Sequence, residues 1–174
     1  MKTAKIETNT IKQIAKLICL KARTAPKTKG IDNLRFKILN SKEKKQLVKK
    51  MQEIGIREKK HSFLRNAQNI KDTASVILFG VASNPAGLTY CGLCQKKNCA
   101  QLSKEKGICV FNSLDLGIAL GSAASLASDF GADNRIMYTA GIAALKLEFF
   151  DKKVKIIIAL PLSGTGKNIF FDRK

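Results

Sequence analysis

The sequence predicts an α+β protein. Apolar residues in its N-terminal part recur at the three- and four-residue spacing of amphipathic helices. Two short apolar runs, "SVILFGVA" and "KVKIIIALPL", read as buried strands. Helices and strands also come in blocks (helices, strand, loop, helices, strands) rather than in the regular βαβ alternation of a parallel sheet. The 174 residues suit one domain, 1–174, with enough chain to bury a core. A cysteine-rich stretch at 84–112 reads as a loop inserted into it.

Each element has a local signal. Thr10 and Gln13 form a plausible capping box, after which Ile11, Ile14, Ala15, Ile18 and Ala22 fall on one helical face. Pro26 and Gly30 in "RTAPKTKGIDN" end that helix. Ser41 can cap a second helix with Leu47, Val48, Met51 and Ile54 inward, and Gly55 can end it. A third helix covers His61 to Ile70. The strand from Ser75 leads through "SNPAG" into the cysteine stretch. A fourth helix, capped by Asn112 or Ser113, runs to Gly131, and Asp133 opens a fifth through Leu145. "KVKIIIALPL" gives the second strand, and "NIFFD" a third.

Lys and Arg total 32 against 13 Asp and Glu, a net charge of +19. Nucleic acid, anionic membrane or phosphate-bearing ligands are compatible with such a charge. The lysines are scattered through helix-like stretches such as "SKEKKQLVKKMQEIG", without an Arg-rich tail or interleaved aromatics. Compositional bias is therefore the favoured reading, and nucleic acid is not an expected partner. "MKTAKIETNT" has no apolar run or small-residue cleavage site. The longest low-charge stretch, Leu114 to Ser128, is short for a bilayer span and contains Asp115. A cytoplasmic protein without membrane association is expected, and in a reducing compartment a disulfide framework is improbable.

Cys91, Cys94 and Cys99 have the spacing C-x2-C-x4-C, and Cys109 follows after nine intervening residues. Four thiolates can hold a zinc ion or an iron–sulfur cluster. Cys91 and Cys94 can share an ion from one tight turn eased by Gly92, Cys99 can reach back, and Cys109 stands just before a helix whose N-terminus favours an anion. Spacing leaves the metal open, although a zinc finger ordinarily pairs two C-x2-C knuckles. His61, the only histidine, is remote and reads as an exposed or capping residue. Cys19 reads as a small buried side chain.

"CGLCQKKNCAQ" resembles the C-G-x-C-x4-C opening of a four-cysteine [4Fe-4S] domain. Together "ARTAPKTKGIDNL", "CVFNSLDLGIALGSAASLASDFGADNRIMYTAG" and "IIIALPLSGTGKNIFFDR" resemble a family of uncharacterised prokaryotic proteins containing a ferredoxin domain. The chain differs from that family's usual Gly and aromatic residue at Gln95, Lys96 and Lys97. The resemblance implies a [4Fe-4S] cluster on Cys91, Cys94, Cys99 and Cys109, zinc being the alternative, on a nitroreductase-like (FMN-dependent) core that is a homodimer.

Two basic segments fit that implication. "RTAPK" offers basic side chains and amides at a helix end, suited to an anion. It is similar to the R-x-S-x-R region that holds the FMN phosphate in nitroreductase-like flavoproteins, with Arg23 at the first arginine, Lys27 near the second and Thr24 nearest the serine. A solvated basic loop is the plainer reading. "PLSGTGKN" is not a P-loop, since Pro161 and Asn168 stand where Gly and Ser or Thr are required. Its Gly164, Gly166 and Lys167 can still form an amide-lined turn for one phosphate, joined by Arg173. A flexible turn is the plainer reading here. The two segments are expected to share one ligand, FMN.

On the fourth helix, Gly117, Gly121, Ala124, Ser125 and Ser128 recur at helical spacing, so a helix, a subunit or a flat cofactor is expected to approach it closely. Asp32, Asp115 and Asp133 read as loop or capping carboxylates, and no catalytic acid, base or nucleophile stands out. The expected function is redox: electron transfer, or flavin-dependent reduction of an unknown substrate with an unknown electron partner. The alternatives are a nucleic-acid-binding module with a structural zinc site and an inactive flavoprotein-like protein.

Overall fold

The computed structural model describes residues 3–171. In chain order they form α1 (Thr3–Arg23), β1 (Leu34–Ile38), α2 (Ser41–Arg57), α3 (His61–Asp72), β2 (Ser75–Ala82), α4 (Cys99–Lys104), α5 (Val110–Asp129), β3 (Asp133–Asn134), α6 (Tyr138–Lys146) and β4 (Val154–Ser163). The strands make one sheet in the order β1-β2-β4-β3, every pair antiparallel.

All eight residues of β2 are buried, so both faces of the sheet are covered. Alternation then decides which side chain goes where. Ile77, Phe79 and Val81, with Leu160 and Leu162 of β4, pack against α1 and α5. Val76 and Leu78, with Ile157 and Ala159 of β4, pack against α2, α3 and α6. Each large apolar side chain buried this way contributes about 1.5–3 kcal/mol. Helices thus lie on both sides of a central sheet.

Several elements begin or end for reasons other than those expected. α1 starts at Thr3, so Thr10 lies within it, and its hydroxyl donates to Ile6 O (2.9 Å). β1 was not anticipated: its alternating Leu-Arg-Phe-Lys-Ile is too short and basic to stand out, and pairing with β2 creates it. α2 is capped by Asn40, not Ser41. Asn40 Oδ1 accepts from Glu43 N (2.9 Å), and Glu43 returns the bond to Asn40 N (3.0 Å). Gly55 does not end α2. A Cβ there would lie 2.6 Å from Leu64 Cδ2, so this glycine lets α3 pack close.

α5 starts at Val110, with Cys109 rather than Asn112 or Ser113 at its N-cap. At 20 residues it is long and apolar enough to cross a membrane by length and composition, yet Ala119, Ala123 and Ala127 are fully buried in the core. Asp133 opens the short strand β3, not a helix, because Asp133 and Asn134 pair with Ser163 and Leu162. "NIFFD" forms no strand over its described residues. Phe170 instead plugs the second core at 2% exposure, with Asn69 Nδ2 donating to Ile169 O (2.7 Å) and Arg135 Nη1 to Phe170 O (3.1 Å).

Candidate functional site

The cysteine loop leaves the sheet after β2 and returns at α5. Its base is tied down on three sides. Ser83 Oγ donates to Gly107 O (3.1 Å), Asn84 N to Asn112 Oδ1 (3.0 Å) and Asn84 Nδ2 to Asn33 Oδ1 (3.1 Å). Within the loop, Gln95 N donates to Gly92 O (2.7 Å) and Gln95 takes a positive φ of 60°, which closes the turn carrying Cys91 and Cys94. Cys99 is the first residue of α4. Asn98 caps that helix by accepting from Gln101 N (2.9 Å), and Gln101 Oε1 accepts from Lys97 N (2.9 Å). Lys96 pairs with Glu105.

Cys91, Cys94 and Cys99 line one small hollow of about 30 Å3 together with Leu88, Thr89 and Asn98. Cys109 is 4% exposed at the start of α5 and makes no capping bond through its side chain. All five cysteines are free thiols. Among the described residues no group of three or more Cys, His, Asp or Glu side chains stands close enough to grip a metal ion. The donor set suits a thiolate-bound metal, and the loop must tighten around one for all four to bind it. Cys19 differs in kind: burial pushes its thiol up to about 11, with the Arg23 charge opposing the rise. His61 is exposed at the first position of α3.

"RTAPK" sits at the C-terminal end of α1, where carbonyls collect rather than amides. Lys27 Nζ donates to Arg23 O (2.5 Å) and Ala25 O (2.8 Å), and Thr24 Oγ1 donates to Lys21 O (3.2 Å). Arg23 Nη1 meets Asp32 Oδ2 at 2.5 Å and Leu34 O at 3.2 Å, while its guanidinium lies 4.4 Å from the Phe36 ring centre. All three residues are thus engaged by the chain itself. The segment after them is fixed to α5, since Thr28 donates to Asp115 Oδ1 from both N (3.0 Å) and Oγ1 (2.9 Å). Asp115 is 3% exposed. This end of the sheet therefore gathers the "RTAPK" segment, the start of α5 and the base of the cysteine loop.

The sequence pattern makes Asp115 a loop or capping carboxylate and gives Asn33, Asn84 and Asn112 no role beyond a helix cap. The signal was there: Asn112 and Asp115 are the larger polar residues in the first two turns of a mostly apolar helix, one turn apart, and such residues need partners when buried.

"SGTGK" lies at the other end. Gly164 packs on Ile11, where a Cβ would come within 2.9 Å of Ile11 Cδ1. Thr165 Oγ1 donates to Lys167 O (2.8 Å), and a Cβ on Gly166 would meet open space. Lys167 has a partner of its own. Arg173 lies outside the described residues. Twelve residues of α1 separate Ile11 from Arg23, about 18 Å along the helix. Within one chain the two segments do not meet, because β4 runs antiparallel to β2 and delivers its end to the opposite side of the sheet.

Comparison with known proteins agrees with this architecture. A nitroreductase with bound FMN from Desulfitobacterium hafniense superposes with a TM-score of 0.61 at 14% identity, over 89% of this chain and 78% of that one. Nitroreductase A from Vibrio parahaemolyticus gives 0.59 at 12%, over 90% of this chain and 60% of that one, so this chain spans about three fifths of that relative's length. The fold is nitroreductase-like. Residues 105–173 match the model of a family described as "uncharacterized protein containing a ferredoxin domain", a span that includes Cys109 but not the other three loop cysteines. An uncharacterised protein of Archaeoglobus fulgidus is 35% identical over 171 residues, covering 94% of this chain and 91% of that one. On that likeness the chain belongs to the family of uncharacterised proteins containing a ferredoxin domain.

Proposed function

We propose that this protein is a cytoplasmic redox protein that holds a [4Fe-4S] cluster on Cys91, Cys94, Cys99 and Cys109. The observation that carries this reading is the placement of three free cysteines around one hollow, on a loop whose base is hydrogen-bonded to the sheet and to α5. When bound, such a cluster passes single electrons. The chain's own part is positional. Asn84 and Asn112 fix the loop's exit beside its return, Gly92 and Gln95 close the turn between the first two thiols, and the N-terminus of α5 sets partial positive charge beside Cys109. A flavin is a second reading, favoured by the FMN-bound protein of like fold. Arg23, Thr24 and Lys27 do not fit a phosphate as they stand, because Arg23 would have to release Asp32 first.

One anaerobic purification with iron–sulfur reconstitution tests both. Iron, sulfide and broad visible absorption should be present in the parent and in Cys19→Ser, and absent in Cys94→Ser and Cys99→Ser. Stoichiometric zinc without iron would overturn the cluster and favour a structural metal. Protein that retains no FMN when flavin is supplied would end the second reading.

A further inference from the structure

A second hollow lies far from the cysteine loop and plays no part in the reading above. It measures about 560 Å3 and opens between the N-terminal half of α1, the start of α2, the α3–β2 connection and the turn after β4. Ser75, at the start of β2, lines it, whereas the cysteine loop leaves from the far end of that strand, about 23 Å away at the usual rise.

Four features of its wall point to one kind of occupant. Ser163 forms part of the wall, is 1% exposed, and its Oγ has no hydrogen-bond partner among the described residues. Such a buried hydroxyl is costly unless a ligand meets it. Lys12 and Lys44 also line the hollow. Burial lowers the Lys44 ammonium below its usual range, and repulsion from Lys12 adds to that while Asp72 opposes it. Lys44 Nζ donates to Lys71 O (3.2 Å) and Thr73 O (2.7 Å), which leaves one of its three donors. The hollow meets α2 at its N-terminus, where the amide of Ser41 has no acceptor within the helix and the helix dipole favours an anion. Two carboxylates, Glu7 and Asp72, complete the charged wall. They would repel a bare anion, but they can accept from hydroxyl groups.

We infer that this hollow binds a small phosphorylated polyol. Its phosphate lies toward Lys12, Lys44, Ser41 and Ser163, and its hydroxyls donate to Glu7 and Asp72. The volume suits a molecule of that size.

Calorimetric titration of the metal-loaded full chain with ribose 5-phosphate, inorganic phosphate and ribose as separate probes tests the assignment. Ribose 5-phosphate should bind most tightly, and Lys12→Gln, at an exposed position, should weaken it by about tenfold or more through loss of a charged hydrogen bond. Ser163→Ala should melt no lower than the parent without ligand, because its hydroxyl has no partner to lose, yet bind ribose 5-phosphate more weakly. Binding no tighter than inorganic phosphate, equal binding by Lys12→Gln, or a Ser163→Ala variant that is destabilised without ligand would each overturn the inference.

Discussion

Arg23 shows how a single side chain can be read in two ways. Beside Lys27 it resembles half of a phosphate seat. In the fold it reaches back to Asp32, accepts company from Phe36 and holds the chain where it turns from α1 toward β1. Burial alone would raise the Asp32 carboxyl, but hydrogen bonds from Arg23 and from the Leu34 amide outweigh it, and the group sits below the usual carboxylate range. A carboxyl depressed on folding stabilises the protein above its unfolded value, about 3.9, and that contribution drains away as pH falls from there through the lower folded value. Asp32→Asn should therefore lower the denaturation midpoint at neutral pH and not at strongly acid pH. Both side chains are more than a third exposed, so the loss should stay within about 1 kcal/mol. An equal loss at both pH values would show that the pair does not act through charge.

Helices and strands were legible where their pattern was long and one-sided. The apolar face of α1 and the apolar run of β2 were both plain in the sequence, because each is buried along its length. β1 was not, since five residues with two basic side chains acquire their conformation from a neighbour. All four loop cysteines were grouped by their spacing in the sequence, whereas the asparagine contacts that anchor their loop join residues 28 to 51 positions apart and leave no local pattern. Gly141 is another such case. On α6 it looks like an ordinary weak helix position, but a Cβ there would lie 1.7 Å from Ile157 O, because α6 rests directly on β4. Gly141→Ala should thus destabilise the protein by about 3 kcal/mol or more, opposite in sign to the gain in helix propensity. Chemical denaturation would show this, and a neutral or stabilising result would mean that the helix can shift off the strand.

Seen whole, the chain leaves one of its helical layers unfinished. Leu17 and Leu20 of α1 and Leu114 and Ile118 of α5 are 45–62% exposed. Gly117 and Gly121 were expected to admit a close neighbour, yet a Cβ on either would meet nothing within 4 Å in this chain. α1 instead packs on the buried alanines of α5. We propose that a second copy covers this surface and that the protein is a homodimer. Sedimentation should give a dimer for the parent, and Leu20→Asp with Ile118→Asp should give a folded monomer. A parent that sediments as a monomer at micromolar concentration would rule the dimer out.

The place of β4 has a consequence for how the chain comes to be folded at all. It is the last of the described strands to be synthesised, yet it lies inside the sheet and supplies side chains to both cores. Until it arrives, β2 lacks its central partner and neither layer of helices has a complete surface to close on. Pairing that waits for so distant a segment is slow and leaves apolar surface open in the meantime. The cysteine loop, by contrast, is finished long before β4 exists. Its four thiols are therefore exposed on a growing chain before the sheet that anchors their loop can close.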